Sequence, residues 1–291
     1  MLTLEKRPTP SRLWAYLTPV LAIVLTMVAG GLMFWLLGKD PFAALRTIFW
    51  DPLFNEQFAS YSRPQLLIKA GPLILIATGL AIGFRAGVWN IGAEGQYIIG
   101  AICGAAVALA FYPLEAWFIF PLMVLAGAVG GILWGLIPAL LKIKFNTNEI
   151  LVSLMLVYVA SEVLSKMALG PLKNPEGAGF PGSRNLQQYP SAHNAELIAG
   201  SSIHWGVVTA VLAVIAAHVL MSRHRLGFNI KLTGESPRAA RFAGVNPNVI
   251  VAVSLGISGA CAGLAGLFEV AGPSGQVSID FASNYGFTAI I

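Results

Sequence analysis

The chain alternates long apolar runs with shorter polar stretches, and this pattern predicts helices that cross a membrane. A spanning helix needs about 20 consecutive apolar residues. Seven runs have this length, at about 13–37, 64–84, 94–112, 117–141, 149–169, 203–221 and 249–270. An eighth begins at Tyr285 and stops at Ile291 without a polar end, so we expect about eight visible spans in a chain truncated at its C-terminus. The predicted fold class is all-α, a polytopic transmembrane helical bundle that forms a single domain over residues 1–291.

Composition agrees with a bilayer location and argues against two other classes of protein. Charged residues make up 11% of the chain, against about 25% in soluble proteins. The net charge of +5 comes from basic residues scattered between apolar runs, without interleaved aromatic residues, so we predict no nucleic-acid binding. The four histidines are unclustered, which predicts no metal and no cofactor. Cys103 and Cys261 lie inside apolar segments and are expected to be structural.

The distribution of basic residues predicts the orientation of the helices. The first apolar run, from Leu13 to Leu37, exceeds the about 7 to 15 residues of a signal peptide, so we expect an uncleaved first helix. With a cytoplasmic N-terminus, eleven of the eighteen basic residues fall on the cytoplasmic side, as the positive-inside rule favours. These eleven are Lys6, Arg7, Arg12, Arg85, Lys142, Lys144, Arg223, Arg225, Lys231, Arg238 and Arg241.

This orientation assigns the long connections to the two sides of the membrane. Residues of about 39–63 and 170–202 form extracytoplasmic loops, and residues of about 222–248 form a cytoplasmic loop. The loop at 170–202 is rich in Pro, Gly, Asn and Ser. It is either a connector or a docking surface for an extracytoplasmic partner.

Glycines at helical spacing predict close contacts between helices. Gly127, Gly131 and Gly135 stand four residues apart in one span, and Gly259 and Gly263 do so in another. Small residues let the backbones of neighbouring membrane helices approach closely. The pattern therefore predicts packing and carries no information about chemistry.

A polar, glycine-rich stretch, GFRAGVWNIGAEGQ at 83–96, interrupts the apolar pattern between the second and third spans. Irregular backbone at membrane depth persists where it is buried or lines a watery cavity, so one interpretation is a broken helix beside a path across the membrane. The other is a cytoplasmic turn, with Arg85 inside and Glu94 starting the next helix. The stretch lacks the spacing of a phosphate-binding loop, so we predict that this chain has no ATP-binding motif and is not an enzyme.

A second stretch, TGESPRAARFAGVNP at 233–247, predicts a short capped helix in the most basic loop. Ser236 suits the N-cap position and Pro237 the first helical position. Gly244 and the pair Asn246-Pro247 end the helix about two turns later.

The faces of this short helix suggest two interpretations. Arg238 and Arg241 are three residues apart and share a face, beside a small apolar surface of alanines and Phe242. The helix either enters a groove on a cytoplasmic partner or lies on anionic lipid. Its sharp start and stop favour a rigid docking element.

Together these stretches resemble the permease subunits of bacterial ABC importers for nucleosides and simple sugars, within the superfamily of ribose and branched-chain amino acid permeases. The resemblance spans most of the chain. It implies that the second stretch is the coupling helix, which sits in a cleft of the ATP-binding subunit, and that the first lies near the translocation path. The coupling residues that it implies are Gly234, Glu235, Pro237, Arg238, Ala239, Ala240, Arg241 and Gly244.

A third family-like stretch is NTNEILVSLMLVY at 146–158, in which Asn146 and Glu149 have capping-box spacing. Relatives commonly carry Asn before the final tyrosine, where this chain has Val157. The candidates for the translocation path are Arg85, Trp89, Asn90, Glu94, Gln96, Asn148, Glu149 and Tyr158. For Arg85 and Glu94, local capping and salt bridging is the alternative to solute contact.

The predicted function is that of the permease subunit of an ABC importer for a nucleoside or simple sugar, in the bacterial plasma (inner) membrane. Its expected partners are ATP-binding cassette subunits, a second permease subunit, an extracytoplasmic solute-binding protein and the lipid bilayer. The alternatives are an ABC permease for branched-chain amino acids and a proton-coupled secondary transporter. The carboxylates available for proton coupling are Glu94, Glu149, Glu162 and Glu269. A membrane enzyme is disfavoured because the chain lacks metalloprotease and nucleophile-elbow motifs.

Overall fold

Helices form the regular structure of the protein in this computed structural model, which describes residues 11–198 and 200–291. Among these residues the only β-type pairings are two isolated bridges, and no strand is present. The predicted all-α fold class is confirmed. Of the basic residues assigned to the N-terminus, Lys6 and Arg7 lie outside the described residues, as does the side chain of Arg12.

Seven of the described helices are long and apolar enough to cross a membrane, and they correspond one for one to the seven complete predicted spans. They are α1 (Arg12–Leu36), α4 (Glu56–Arg85), α5 (Ala93–Phe111), α6 (Ile119–Phe145), α7 (Glu149–Leu169), α8 (Trp205–Arg223) and α11 (Pro247–Val270). The shorter helices are α2 (Pro41–Leu45), α3 (Asp51–Phe54), α9 (Arg225–Glu235), α10 (Pro237–Phe242) and α12 (Tyr285–Thr288). A π-helical turn occupies Arg46–Trp50 and a 3-10 turn Leu186–Gln188.

Helical structure extends beyond the predicted spans at two places. Helix α4 begins at Glu56, well before the predicted start near 64, and short helices fill much of the stretch at 39–63. Helix α9 was not predicted at all. An apolar run marks only the part of a helix that matches the bilayer, so polar helical turns outside it give no hydropathy signal. A weaker signal did exist in α9, because its buried residues Gly227, Ile230 and Thr233 recur every three positions.

Contacts divide the chain into a unit that ends at Arg63 and a unit from Pro64 to Ile291. In the first unit, α1 packs against α2, and the Asp40 side chain caps α2 by accepting from the Phe42 N–H at 2.9 Å. The Arg63 guanidinium donates to the Leu53 carbonyl at 2.6 and 2.8 Å. Most apolar side chains of α1 are exposed, as expected of a helix that faces lipid.

Helices α5, α6 and α11 form the centre of the second unit and pack mainly on one another. A Cβ atom built on Gly131 of α6 would collide with the carbonyl of Gly259 on α11, and one built on Gly263 would collide with the carbonyl of Gly127. The predicted glycine packing is therefore confirmed. The glycines let the backbones of α6 and α11 touch. Such close van der Waals packing stabilises the association of membrane helices.

The loops that follow α5, α7 and α11 meet at one end of the second unit. Ser183 and Val277 exchange hydrogen bonds at 2.8 and 2.9 Å, and the Ala116 N–H donates to Ser191 Oγ at 3.0 Å. Helices that cross a membrane in alternate directions bring every second loop to the same side. This grouping therefore agrees with the predicted order of spans.

Candidate functional site

Helix α10 is the short capped helix predicted from the sequence. The Ser236 hydroxyl accepts from the Ala239 N–H at 3.3 Å, and Pro237 occupies the first helical position. The helix ends in a Schellman motif, in which the Val245 N–H reaches the Ala240 carbonyl at 2.9 Å. Gly244 carries the positive φ of +77° that this motif requires. These local bonds make α10 a rigid projection.

The surface of α10 combines positive charge with an exposed aromatic ring. Ala240 is fully buried and anchors the helix, whereas Arg238 and Arg241 face outward. Phe242 is 95% exposed at the end of the helix. Aromatic and arginine side chains are enriched among the residues that contribute most to protein–protein binding. Phe242 was not among the coupling residues selected from the sequence, although it lies in the same short helix between Arg241 and Gly244, which ends the helix.

The two family-like stretches touch each other through backbone atoms. Gly234, at the end of α9, lies against the carbonyl of Arg85, and an added Cβ would collide with it. Gly87 also lies beside Gly234, because a Cβ added to Gly87 would lie 3.5 Å from the Gly234 Cα. The end of α9 therefore contacts the connection between α4 and α5.

The stretch at 83–96 is a turn between two helices. Helix α4 ends at Arg85 in a second Schellman motif, in which the Val88 N–H donates to the Gly83 carbonyl at 3.0 Å and Gly87 has a φ of +71°. Helix α5 starts at Ala93, so residues 86–92 are non-helical. Of the two interpretations offered by the sequence, the structure therefore has a turn, one whose polar side chains are partly buried.

Asn90 and Gln96 form a closed amide pair within the helical bundle. Asn90 Nδ2 donates to Gln96 Oε1 at 2.8 Å, and Gln96 Nε2 donates to Asn90 Oδ1 at 3.1 Å. Asn90 Nδ2 also donates to Ser258 Oγ on α11 at 2.9 Å. All three residues are buried. These bonds satisfy buried amides that would otherwise destabilise the fold, and they tie the turn to α11.

Glu94 binds a segment near the end of the chain. Its Oε1 accepts from the Asn284 N–H at 2.9 Å and its Oε2 from the Gly286 N–H at 2.6 Å. Gly286 packs so closely on the backbone of Ala93 and Glu94 that a Cβ would not fit. Both carboxylate oxygens of Glu94 therefore accept from backbone N–H groups at the start of α12, far away in the chain.

The remaining path candidates lie apart from one another. Asn148 caps α7 by accepting from the Ile150 N–H at 3.0 Å, and Glu149 forms an ion pair with Lys142 at 2.5 Å. Tyr158 is 65% exposed on α7.

Two candidates lie near the end of α4. The Trp89 ring is half-exposed and packs on the ring of Phe84, with centroids 4.7 Å apart. Arg85 is exposed and lines a groove of about 410 Å³ with residues of α4, α8 and α9. Of the eight candidates, Asn90 and Gln96 are thus the only two that the structure joins to each other by hydrogen bonds.

A polar cluster that sequence analysis did not assemble lies at the end of the second unit where the long loops meet. Lys69 of α4 and Glu269 of α11 form an ion pair at 3.9 Å, and the Lys69 ammonium lies 5.5 Å from the centre of the Tyr285 ring. Beside them is a cavity of about 270 Å³, whose wall includes Asn194 and His204. In the sequence, this cluster was indicated by Lys69 and Glu269, each a charged residue inside an apolar run.

The seven described helices that are long and apolar enough to cross a membrane define the class of the protein as a multi-pass membrane protein. The family described as the permease component of branched-chain amino acid transport systems matches residues 63–291. No solved structure matches the chain.

Three relatives illustrate the similarity. The glucose ABC transporter permease protein TsgB13 of Haloferax volcanii is 36% identical over 298 residues, with 99% of this chain and 77% of the relative covered. The guanosine ABC transporter permease protein NupP of Bacillus subtilis is 30% identical over 89% of this chain and 72% of its own length. The nucleoside ABC transporter permease protein NupB of Lactococcus lactis is 28% identical over 86% and 69%.

The chain therefore belongs to the family of permease components of branched-chain amino acid type transport systems. The resemblance to ABC importer permeases that was inferred from two short stretches is confirmed. The protein is a multi-pass membrane permease subunit of an ABC importer, and its family implies ATP-binding subunits as partners.

Proposed function

We propose that this permease carries an uncharged nucleoside or simple sugar into the cell, driven by ATP hydrolysis on a separate subunit. Relatives named for glucose, guanosine and nucleosides support this choice of solute. The location that we propose is the plasma (inner) membrane of a bacterium. The two contact units act within one permease domain over residues 1–291.

The observation that carries the proposal is the exposed basic and aromatic surface of α10 formed by Arg238, Arg241 and Phe242, which we call the docking surface. Phe242, Arg238 and Arg241 project from a helix fixed at both ends by capping bonds. The ATP-binding subunit binds this surface, with the ring in an apolar pocket and the guanidinium groups on carboxylates at its rim. Movement of the docked subunit reaches the bundle through the backbone contact of Gly234 with Arg85.

The complete importer contains a second, related permease subunit and an extracytoplasmic binding protein. Exposed apolar side chains on α7, including Leu151, Met155 and Tyr158, offer a helix face for lipid or for the second permease. The loops that meet after α5, α7 and α11 form the surface for the binding protein. Among the path candidates, the observed bonds of Asn90, Glu94, Gln96 and Asn148 support a positioning role, while solute contact by Arg85, Trp89, Glu149 and Tyr158 stays a prediction.

The proposal predicts uptake into proteoliposomes that hold the complete complex with its binding protein. We expect ATP-dependent uptake of D-glucose or guanosine, measured with radiolabelled solute, and no uptake of L-leucine. An imposed proton gradient without ATP serves as the control. Uptake driven by that gradient alone would contradict the proposal and favour a proton-coupled transporter.

The proposed orientation places the N-terminus and α10 in the cytoplasm. We expect Glu176→Cys, in the loop at 170–202, to react with a membrane-impermeant maleimide in intact cells. Asn248→Cys, at the start of α11, should react only after permeabilisation. Both positions are exposed, and the unsubstituted protein measures the background from Cys103 and Cys261. The reverse labelling pattern would show that the orientation is wrong.

A further inference from the structure

The groove of about 410 Å³ beside Arg85 lies where three helices of the second unit meet. Its walls come from α4, from α8 and from Lys231 of α9. Among the residues that line it, Ala81, His218 and Ser222 are exposed, so the groove opens on the outside of this unit. Because α4 and α8 are both long and apolar enough to cross a membrane, a groove that opens between them is accessible from the bilayer.

The groove is polar at its mouth and mainly apolar further in. The mouth lies where both helices end, because Arg85 is the last residue of α4 and Ser222 lies in the last turn of α8. Val214, eight residues before Ser222, lies about 12 Å deeper at the rise of an α-helix. The hydroxyl of Thr78 is bonded to a carbonyl of its own helix at 2.7 Å. Apart from Thr78 and His218, the walls inside the mouth consist of Ala81, Ile82, Val214, Ala217 and Met221.

Two basic side chains line the groove without a neutralising partner. The Lys231 ammonium donates to the Met221 carbonyl at 2.8 Å, which holds it at the end of α8. An ammonium has three donors, so two remain for a ligand. Within residues 11–198 and 200–291, neither Lys231 nor Arg85 forms an ion pair, and no acidic residue lines the groove. The groove therefore offers positive charge to an anion.

An anion with an apolar tail complements this distribution of charge. Arg and Lys side chains bind phosphate groups through several charge-assisted hydrogen bonds. A free phosphate would occupy the mouth alone and leave the apolar walls uncovered, whereas an apolar helix would leave Arg85 and Lys231 without a partner. A phospholipid satisfies both parts, and basic pockets between spanning helices at the membrane surface bind the head groups of anionic lipids.

We propose that this groove binds an anionic phospholipid, with the phosphate at Arg85 and Lys231 and an acyl chain along the apolar walls of α4 and α8. The bound lipid joins α4, α8 and α9 close to α10, which begins two residues after α9 ends. For Arg85, lipid contact is the alternative to the predicted solute contact. The proposal involves neither the solute nor ATP, so its failure would leave the proposed import function unaffected.

Photo-crosslinking of the complete complex in vesicles tests the site directly. The vesicles consist of phosphatidylcholine with a small fraction of phosphatidylglycerol that carries a photoreactive group on one acyl chain. We expect mass spectrometry to locate crosslinks on the groove-lining segments of α4 and α8. Photoreactive phosphatidylcholine should label them at least about fivefold less, because its choline cation offsets the phosphate charge. Equal labelling by the two lipids would overturn the proposal, as would the absence of crosslinks when the second permease covers the groove.

Charge variants test the two basic residues. We expect Lys231→Gln and Arg85→Gln each to reduce labelling by phosphatidylglycerol about fivefold, the effect of one basic residue near an anionic lipid surface. Arg225→Gln removes the same charge from an exposed position of α9 that does not line the groove, so it is the matched control. Its labelling should stay within about twofold of the original, because salt screens an exposed charge. Equal losses in all three variants would indicate general attraction to the membrane surface and overturn the site.

A second pair of variants guards against a folding defect in the charge variants. Ala81 and Ala216 are both exposed on spanning helices, but only Ala81 lines the groove. Ala81→Trp fills the apolar part without altering the charge, so labelling of α8 by phosphatidylglycerol should fall to the level of phosphatidylcholine. Ala216→Trp should keep the original labelling. Full labelling in Ala81→Trp would contradict the proposal, and displacement of the lipid by inorganic phosphate would show that the groove recognises a free anion instead.

Discussion

Replacement of Phe242 by Ala is expected to weaken binding of the ATP-binding subunit by about 30-fold or more and to reduce ATP-driven uptake strongly. An aromatic side chain at the centre of an interface contributes about 2 kcal/mol or more, which corresponds to this factor. The ring of Phe242 is 95% exposed in the isolated subunit, so its removal costs no packing within the permease. Affinity of the solubilised permease for the ATP-binding subunit is the measurement.

Phe228→Ala provides the control for this prediction. Phe228 lies on the adjacent helix α9 and is 64% exposed, so the same substitution tests whether any exposed ring near α10 matters. We expect the binding constant to stay within about twofold of the original, the size of a minor interface change. Equal losses from both variants would show that the effect is not specific to Phe242 of α10.

The charge on α10 allows an independent test of whether the same surface binds the ATP-binding subunit. Arg241→Glu reverses an exposed charge, so we expect slower association that depends on salt concentration. Substitution of a residue outside the interface would leave both the association rate and solute uptake unchanged. Unchanged binding and uptake in Arg241→Glu would therefore contradict the coupling role of α10.

Gly259→Ala is expected to destabilise the bundle by about 1–3 kcal/mol or more, the usual effect of overpacking a core. The added Cβ would collide with the backbone carbonyl of Gly131, which has no rotamer to relieve the contact. Helices α6 and α11 must then move apart along their whole interface. The thermal unfolding midpoint of the protein in detergent and the yield of folded protein report the effect.

Gly256→Ala tests the same change three residues earlier on the same helix. The nearest heavy atom to a Cβ built on Gly256 is 3.8 Å away, an ordinary contact with Ile132. Alanine also favours a helix by up to about 1 kcal/mol over glycine. The unfolding midpoint should therefore be unchanged or raised. A loss equal to that of Gly259→Ala would show that the close approach to Gly131 is not the cause.

The sequence predicted well those features that depend on neighbours along the chain. Seven spans followed from hydropathy, and the cap of α10 followed from Ser236, Pro237 and Gly244. It missed α9, whose polar surface gives no hydropathy signal, and it left open whether residues 83–96 form a turn or a broken helix. That choice depended on the Schellman bonds at Gly87 and on burial of Asn90 by a helix far away in the chain.

The sequence did not reveal the contacts of the candidate path residues, because these were selected by their presence in apolar surroundings. This criterion finds buried polar groups without revealing their partners. Glu94 accepts from two backbone N–H groups about 190 residues later, and Asn90 binds Ser258, 168 residues away. Lys69, Asn194 and His204 were passed over, since sequence proximity does not reveal that they share a cavity wall.

What the sequence by itself determined is the set of membrane-spanning helices and a short capped basic helix. Hydrophobic length and capping are local properties, so neighbouring residues suffice to define them. Only the tertiary structure decided which polar groups bind one another. The pairing of Lys69 with Glu269 and of Asn194 with His204 arises from the packing of helices and loops, whose contacts join distant parts of the chain.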